Sequence, residues 1–428
     1  MKRGYFVLFL GLHCLIISCH KDLNSTGLFS PRLITEAATN ITDTSATAGV
    51  SYDNPVVVPF TSLGVELATD SNFSIFSDPT PYFSSTSGPQ PFRVNLTNLF
   101  AGTQYYIRAQ ASTTLNQSSH GNTVSFTTTY TPSNYTVTTL AGSGIAGLNN
   151  EPSTRAQFSN PDGAAVDPAG NIYIADNKNN AIRVISFGGG IGTFATTDGA
   201  PFDVVADNQG NLYVAEASLR ILKITPGGQV SVFAGNGIRG SADGTGTAAS
   251  FNSAFTLSID PAGNLYVGDG TAFRKITPAG VVTTLTSYFG TTNMCLAITV
   301  DKRNNIYETN GISIIRIDSL GNETLFAGGA QPGRSDGTGS AASFSNIDEM
   351  RTDTAGNIYA TDPGNNSVRM ITPSGVVTTI AGNGAYGNRN GNGAIATFNS
   401  PIGLTPDNAG NIIVCDLGNN VIREISPL

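Results

Sequence analysis

Tryptophan is absent from the 428 residues, and histidine nearly so: His13, His20 and His120 all lie in the first third of the chain. Beyond residue 120 no Ser-His-Asp or Cys-His nucleophile system can be assembled, and no metal can take an imidazole ligand. Charge is scarce too, at 12% of residues, against about a quarter in a typical domain. The 22 basic residues are outnumbered by 30 acidic ones, giving a formal net charge of −8, so the chain offers no basic footprint and nucleic acid is not expected as a partner. The chemistry left open is that of carboxylates, asparagine and oxygen-liganded metals.

What the chain has in quantity is a repeat. DPAGNIYIAD from Asp167 recurs as DNQGNLYVAE from Asp207, DPAGNLYVGD from Asp260, DKRNNIYETN from Asp301, DTAGNIYATD from Asp353 and DNAGNIIVCD from Asp407. The leading aspartates are 40, 53, 41, 52 and 54 residues apart, a period that suits about four short strands per unit. A small apolar run, a tight turn at D-x-x-G-N and an alternating strand make a hairpin. Gly170, Gly210, Gly263, Gly356 and Gly410, with Asn304 in the fourth repeat, fall where the turn requires positive φ. AIRVIS from Ala181 and its counterparts supply a third strand, and segments such as VVTTIAG from Val376 a fourth. The sixth repeat ends at Leu428 without a fourth strand, whereas YTVTTLAG from Tyr135 precedes the first repeat with no unit of its own. The arithmetic assigns that segment to the last unit, which closes the ring and removes its open edges.

The full pattern F-x-x-P-x-G-x-x-x-D-x-x-G-N-x-Y-x-A-D-x-x-N-N-x-I-R runs nearly complete from Phe158 to Arg183. It resembles the NHL repeat, and the resemblance covers roughly residues 135–428. It implies a six-bladed β-propeller, in agreement with the strand count. Repeats two and four depart from the pattern, with Glu216 and Asn310 near the position of the second Asp. Animal NHL proteins that bind RNA do so through basic faces, which have no counterpart here. Some propellers of this class resemble peptide-amidating lyases, whose histidine-ligated metal site cannot be built without histidine.

Upstream, residues 1–18 read as a signal peptide: Lys2-Arg3, then the apolar FVLFLGLHCLIIS. Ile16-Ile17-Ser18-Cys19 resembles a bacterial lipobox, which implies lipidation at Cys19, a membrane attachment through that lipid, and an outer-membrane lipoprotein of the cell envelope. Residues 19–30 form a polar tether. Residues 31–129 show period-two strands, and LTNLFAGTQYYIRAQAS from Leu96 resembles the tyrosine-corner region of fibronectin type III domains, with Tyr105 at the corner. The expected fold class is therefore all-β, a fibronectin type III-like sandwich followed by a six-bladed propeller. Cys295 and Cys415 fall on strands of different repeats and read as small buried residues rather than as a disulfide or a catalytic thiol.

Two sets of residues are site candidates. Long related loops from Gly142, Gly235, Gly328 and Gly382 precede repeats one, three, five and six, and those same repeats carry an Asp at the end of the second strand with an Arg in the third. The pairs are Asp176/Arg183, Asp269/Arg274, Asp362/Arg369 and Asp416/Arg423; repeats two and four have Leu222 and Ile315 instead of the Arg. Such pairs either hold the loops down or form a ring of charges for a ligand. The second set is Asp162, Asp203, Asp348 and Glu349, near the start of the first strands, at positions where other repeats carry residues such as Phe202, Phe255 and Thr256. No scaffold partner for these acids is evident. They stand either as solvated carboxylates or as oxygen ligands for Ca2+, in outline like propeller lactonases. The DGTG segments at Asp243 and Asp336 lack the dense alternating acids of a calcium loop and read as turns. Two functions follow. One is an envelope protein, requiring no cofactor, whose propeller loop face binds a protein, peptide or glycan. The other is a calcium-dependent hydrolase or lyase working in the channel.

Overall fold

The structure is a computed structural model that describes residues 32–42, 45–53, 60–73, 82–83, 92–97, 99, 103–114, 118–129, 133–285 and 296–428. Cys19, the signal and tether segments, and Cys295 lie outside the described residues. The chain divides into two units, Met1–Tyr130 and Thr131–Leu428. No described helix is long and apolar enough to cross a membrane.

The first unit is a two-sheet sandwich. Arg32–Thr39, Ala46–Asp53 and Phe92–Leu96 form one sheet; Phe60–Ala68 and Gln104–Thr113 centre the other. Burial alternates along Gln104–Thr113, so every second residue faces the core. Leu33, Val50, Val65, Leu96 and Ile107 fill that core. Tyr105 is buried there and stacks on Phe126 with ring centroids 5.7 Å apart.

The second unit consists of six sheets, one per repeat, and their first strands pack each against the next and the sixth against the first, which closes a ring. Blade 1 comprises Pro161–Val166, Ile172–Asp176, Ala181–Ile185 and Ile191–Thr196, all antiparallel. In blade 6, Tyr135–Ala141 pairs with Val421–Pro427, so a strand from the front of the unit completes the last sheet. Among the described residues, three of these sheets hold a fifth strand, beyond the four that the repeat length suits. Gly244–Thr245, Gly337–Thr338 and Gly391–Asn392, from three of the long loops, each pair with the outer strand of the blade that the loop leads into, covering its exposed edge.

The turn between the first two strands explains why its letters repeat. Asp167 accepts hydrogen bonds from the Asn171 amide N–H and side chain, both at 2.9 Å, and from the Tyr173 hydroxyl at 3.1 Å. The arrangement recurs at Asp207, Asp260, Asp301 and Asp353, and without the tyrosine at Asp407. Gly170 at φ 84° and Asn304 at φ 62° take the left-handed position. Burial and the facing carboxylate push the Tyr173 phenol up to about 12, so it stays a donor.

Candidate functional site

The loops that join one blade to the next and those that join second to third strands emerge on one face, at the start of the first strands. Four buried clamps build that face. In blade 1, Asp176 accepts the Ser159 amide at 2.7 Å through Oδ1, and Arg183 at 2.9 Å and Asn179 at 2.8 Å through Oδ2. Arg183 reaches on to the Gln157 carbonyl at 2.7 Å, the Asn149 carbonyl at 3.0 Å and Asn150 Oδ1 at 2.6 Å, with its guanidinium 4.9 Å over the Phe158 ring. Arg274, Arg369 and Arg423 pair in the same way with Asp269, Asp362 and Asp416, and each grips the carbonyls of its own loop. All eight of these charged side chains are wholly buried.

Burial outweighs the ion pair at Asp176, Asp416 and Arg423. It raises the Asp176 and Asp416 carboxyls above the ordinary carboxylate value despite the arginines, and lowers Arg423. Four repetitions of one geometry, with every guanidinium committed to loop backbone, make these pairs loop fasteners. Asp243 and Asp336 belong to them, accepting Arg274 at 2.8 Å and Arg369 at 2.9 Å. The Asn-Asn pair of the repeat also acquires a role here. Asn179, Asn365 and Asn419 bridge the Asp to a loop glycine carbonyl, and Asn180, Asn366 and Asn420 take φ of 47°, 45° and 52° to turn the chain.

The mouth of the central channel opens on the same face. Reading the blades in order, its outermost positions are Asp162, Phe202, Phe255, Leu296, Asp348 and Ile402, and the next layer is Gly163, Asp203, Thr256, Ala297, Glu349 and Gly403. Gly163 and Gly403 allow close approach: a Cβ at Gly163 would stand 2.6 Å from the Asp203 Cα, and one at Gly403 would stand 2.0 Å from the Asp162 carbonyl oxygen. All four sequence-singled acids therefore share one channel.

The expectation that these acids lack a scaffold partner is corrected for two of them. Arg351, from blade 5, donates to Glu349 of its own strand and, at 2.7 Å, to Asp203 of blade 2, three blades away across the ring. Asp203 also accepts the Leu257 amide at 2.6 Å and its neighbour Val204 at 2.7 Å, and Glu349 accepts Met350 at 2.9 Å. The bridge spans the channel and separates the mouth from a cavity of about 160 Å3 beneath, lined by Ala164, Val205, Ser258, Thr299 and Thr405 as well as Arg351 itself. Asp162 and Asp348 have no ion-pair partner among the described residues. Burial and the Asp203 charge push the Asp348 carboxyl up to about 6. Asp162 is raised well above the ordinary value by burial and by the Asp348 and Asp203 charges; burial also raises Glu349, against the pull of Arg351.

These residues do not fit a calcium ion. Both oxygens of Asp203 are engaged by donors, Arg351 already supplies the positive charge, and among the described residues no group of three acids, histidines or cysteines is placed to hold a metal. Cys415 is buried and free; burial and the surrounding carboxylates push its thiol up, which leaves it unreactive.

Residues 158–185 match the NHL repeat. No curated protein matches the chain. Solved structures do. A protein of unknown function from Bacteroides thetaiotaomicron shares 17% identity over 92% of this chain and 98% of its own, with a TM-score of 0.58. An auxiliary nutrient binding protein from Bacteroides ovatus shares 17% over 93% and 98%, with a TM-score of 0.57. Another so named, from Bacteroides thetaiotaomicron, shares 15% over 92% and 97%, with a TM-score of 0.56. At these identities the likeness is one of fold. The chain thus carries an NHL repeat on an all-β fold that it shares with solved Bacteroides proteins.

Proposed function

We propose that this is a lipid-anchored binding protein of the cell envelope, held at the outer membrane through Cys19, in which a fibronectin type III-like module precedes a propeller whose long-loop face binds a protein, peptide or glycan. The observation that carries the reading is the combination of locked loops and exposed apolar side chains. Four loops of equal length are fastened by fully buried clamps, yet Ile145, Ile238 and Tyr386 stand 63%, 70% and 73% exposed on three of them. Ordering a loop costs conformational entropy, and fixing large apolar groups in water on an ordered loop suits a surface that another molecule covers. The opposite face exposes Phe187 and Leu320 on two separate turns. The fold likeness to proteins named for nutrient binding accords with this reading, whose support remains the loop face itself.

The test is retention on peptide and glycan arrays by the purified protein and by an Ile238→Ser/Tyr386→Ser variant. Signals present for the first and absent for the second are expected. Equal signals from both, or none from either, would overturn the reading. The anchor is tested separately: labelling of expressing cells with radioactive palmitate should mark the protein and not its Cys19→Ala variant.

A further inference from the structure

We propose that the long-loop face takes a cationic segment of a protein or peptide, a lysine or arginine flanked by apolar residues, with the charged end at the channel mouth and the apolar flanks on the loop tips. The proposal rests on the reading of this face as a binding surface and deepens it to a class of partner.

Charge complementarity selects the cation. Four carboxyls, those of Asp162, Asp203, Asp348 and Glu349, surround the mouth. Arg351 is the single basic residue on the six first strands, and both of its amino groups are committed to Asp203 and Glu349. Asp162 and Asp348, the two acids of the outermost layer, therefore remain without a counter-charge among the described residues, and both are only partly buried. An incoming ammonium or guanidinium would favour the ionised form of both carboxyls and pair with it, which neither an anion nor a neutral glycan can do. Between the two acids along one side of the ring, Phe202 and Phe255 meet edge to face with centroids 4.9 Å apart, and Phe255 is exposed. Aromatic rings beside carboxylates suit a cation on a hydrocarbon stem.

The apolar flanks follow from the loop tips. Ile145 and Leu148 precede blade 1, Ile238 precedes blade 3 and Tyr386 precedes blade 6, all on the face where the mouth opens and all exposed. A small free amine would engage the mouth alone and leave these side chains in water. A peptide bearing apolar neighbours on either side of its cation covers both features at once.

A library of random dodecapeptides displayed on phage, selected on the purified protein with a neutral-oligosaccharide array run in parallel, tests the proposal. The expected result is enrichment of sequences with lysine or arginine between apolar residues, binding the wild type at least ten-fold more tightly than the Asp162→Asn/Asp348→Asn variant. Neither acid makes an ion pair among the described residues, so this variant is expected to fold, and an unchanged circular dichroism spectrum would verify it. Enriched peptides that lack a cation, or neutral oligosaccharides retained through Ile238 and Tyr386, would overturn the proposal and leave the binding reading standing. No peptide or oligosaccharide whose retention depends on the loop face would overturn both.

Discussion

Replacing Asp348 with Asn removes a carboxyl that the fold holds at a disadvantage. Burial and the charge of Asp203 move this group from 3.8 to about 6, which corresponds to about 3 kcal/mol between its protonated and ionised forms. The sign follows from proton linkage. The folded state binds the proton more tightly than the unfolded chain, so the penalty is absent below about pH 4, grows as the pH rises, and is complete above about pH 7. The wild-type propeller should lose stability across that window, and the Asn variant should lose less. For a unit of about 300 residues, 3 kcal/mol corresponds to about 5 °C in the unfolding midpoint. Calorimetric melting of both proteins at pH 4, 6 and 8 reads this directly. The curves should nearly coincide at pH 4, and the variant should melt about 5 °C higher at pH 8. Parallel curves with no pH-dependent gap would refute the placement of Asp348 in a crowded acidic mouth.

Two further predictions concern the frame of the site. Arg369→Ile leaves Asp362 wholly buried without its partner and should cost about 3–5 kcal/mol in denaturant unfolding, whereas the added change Asp362→Asn, which recreates the Asn310/Ile315 pair of blade 4, should recover about half of that. Val137→Pro removes a buried side chain and a donor from the strand that pairs with Val421–Pro427; a loss of at least about 3 kcal/mol is expected, with blade 6 the first to gain deuterium in hydrogen exchange.

The blades were legible because one supersecondary unit repeats, and each of its letters has a local job: Asp, Gly and Asn in the first turn, the tyrosine on that same Asp, the arginine beneath its loop. The fastening Asp/Arg pairs could be read for the same reason, since partner and loop lie within one repeat. The fifth strands were not legible: Gly337–Thr338 and its counterparts are two-residue pairings that leave no periodic pattern. Arg351 was missed, although its spacing of two from Glu349 puts both on the same side of one strand. Its other partner, Asp203, sits 148 residues away on the opposite side of the ring, a distance that only closure of the sheet order reveals. The same closure brings Asp162 and Asp348 together, so aligned positions pointed to a shared channel while their balance of charge waited on the structure.

Whether the long-loop face is the binding surface can be read by hydrogen exchange on the purified protein, with and without the ligand retained from the peptide and glycan arrays. Protection is expected in residues 143–150, 236–242 and 384–390 and at the mouth around Phe202, Phe255 and Asp348, with the turns at Asp167 and its five counterparts unchanged. Protection confined to those turns or to the N-terminal sandwich would contradict the assignment of binding to this face.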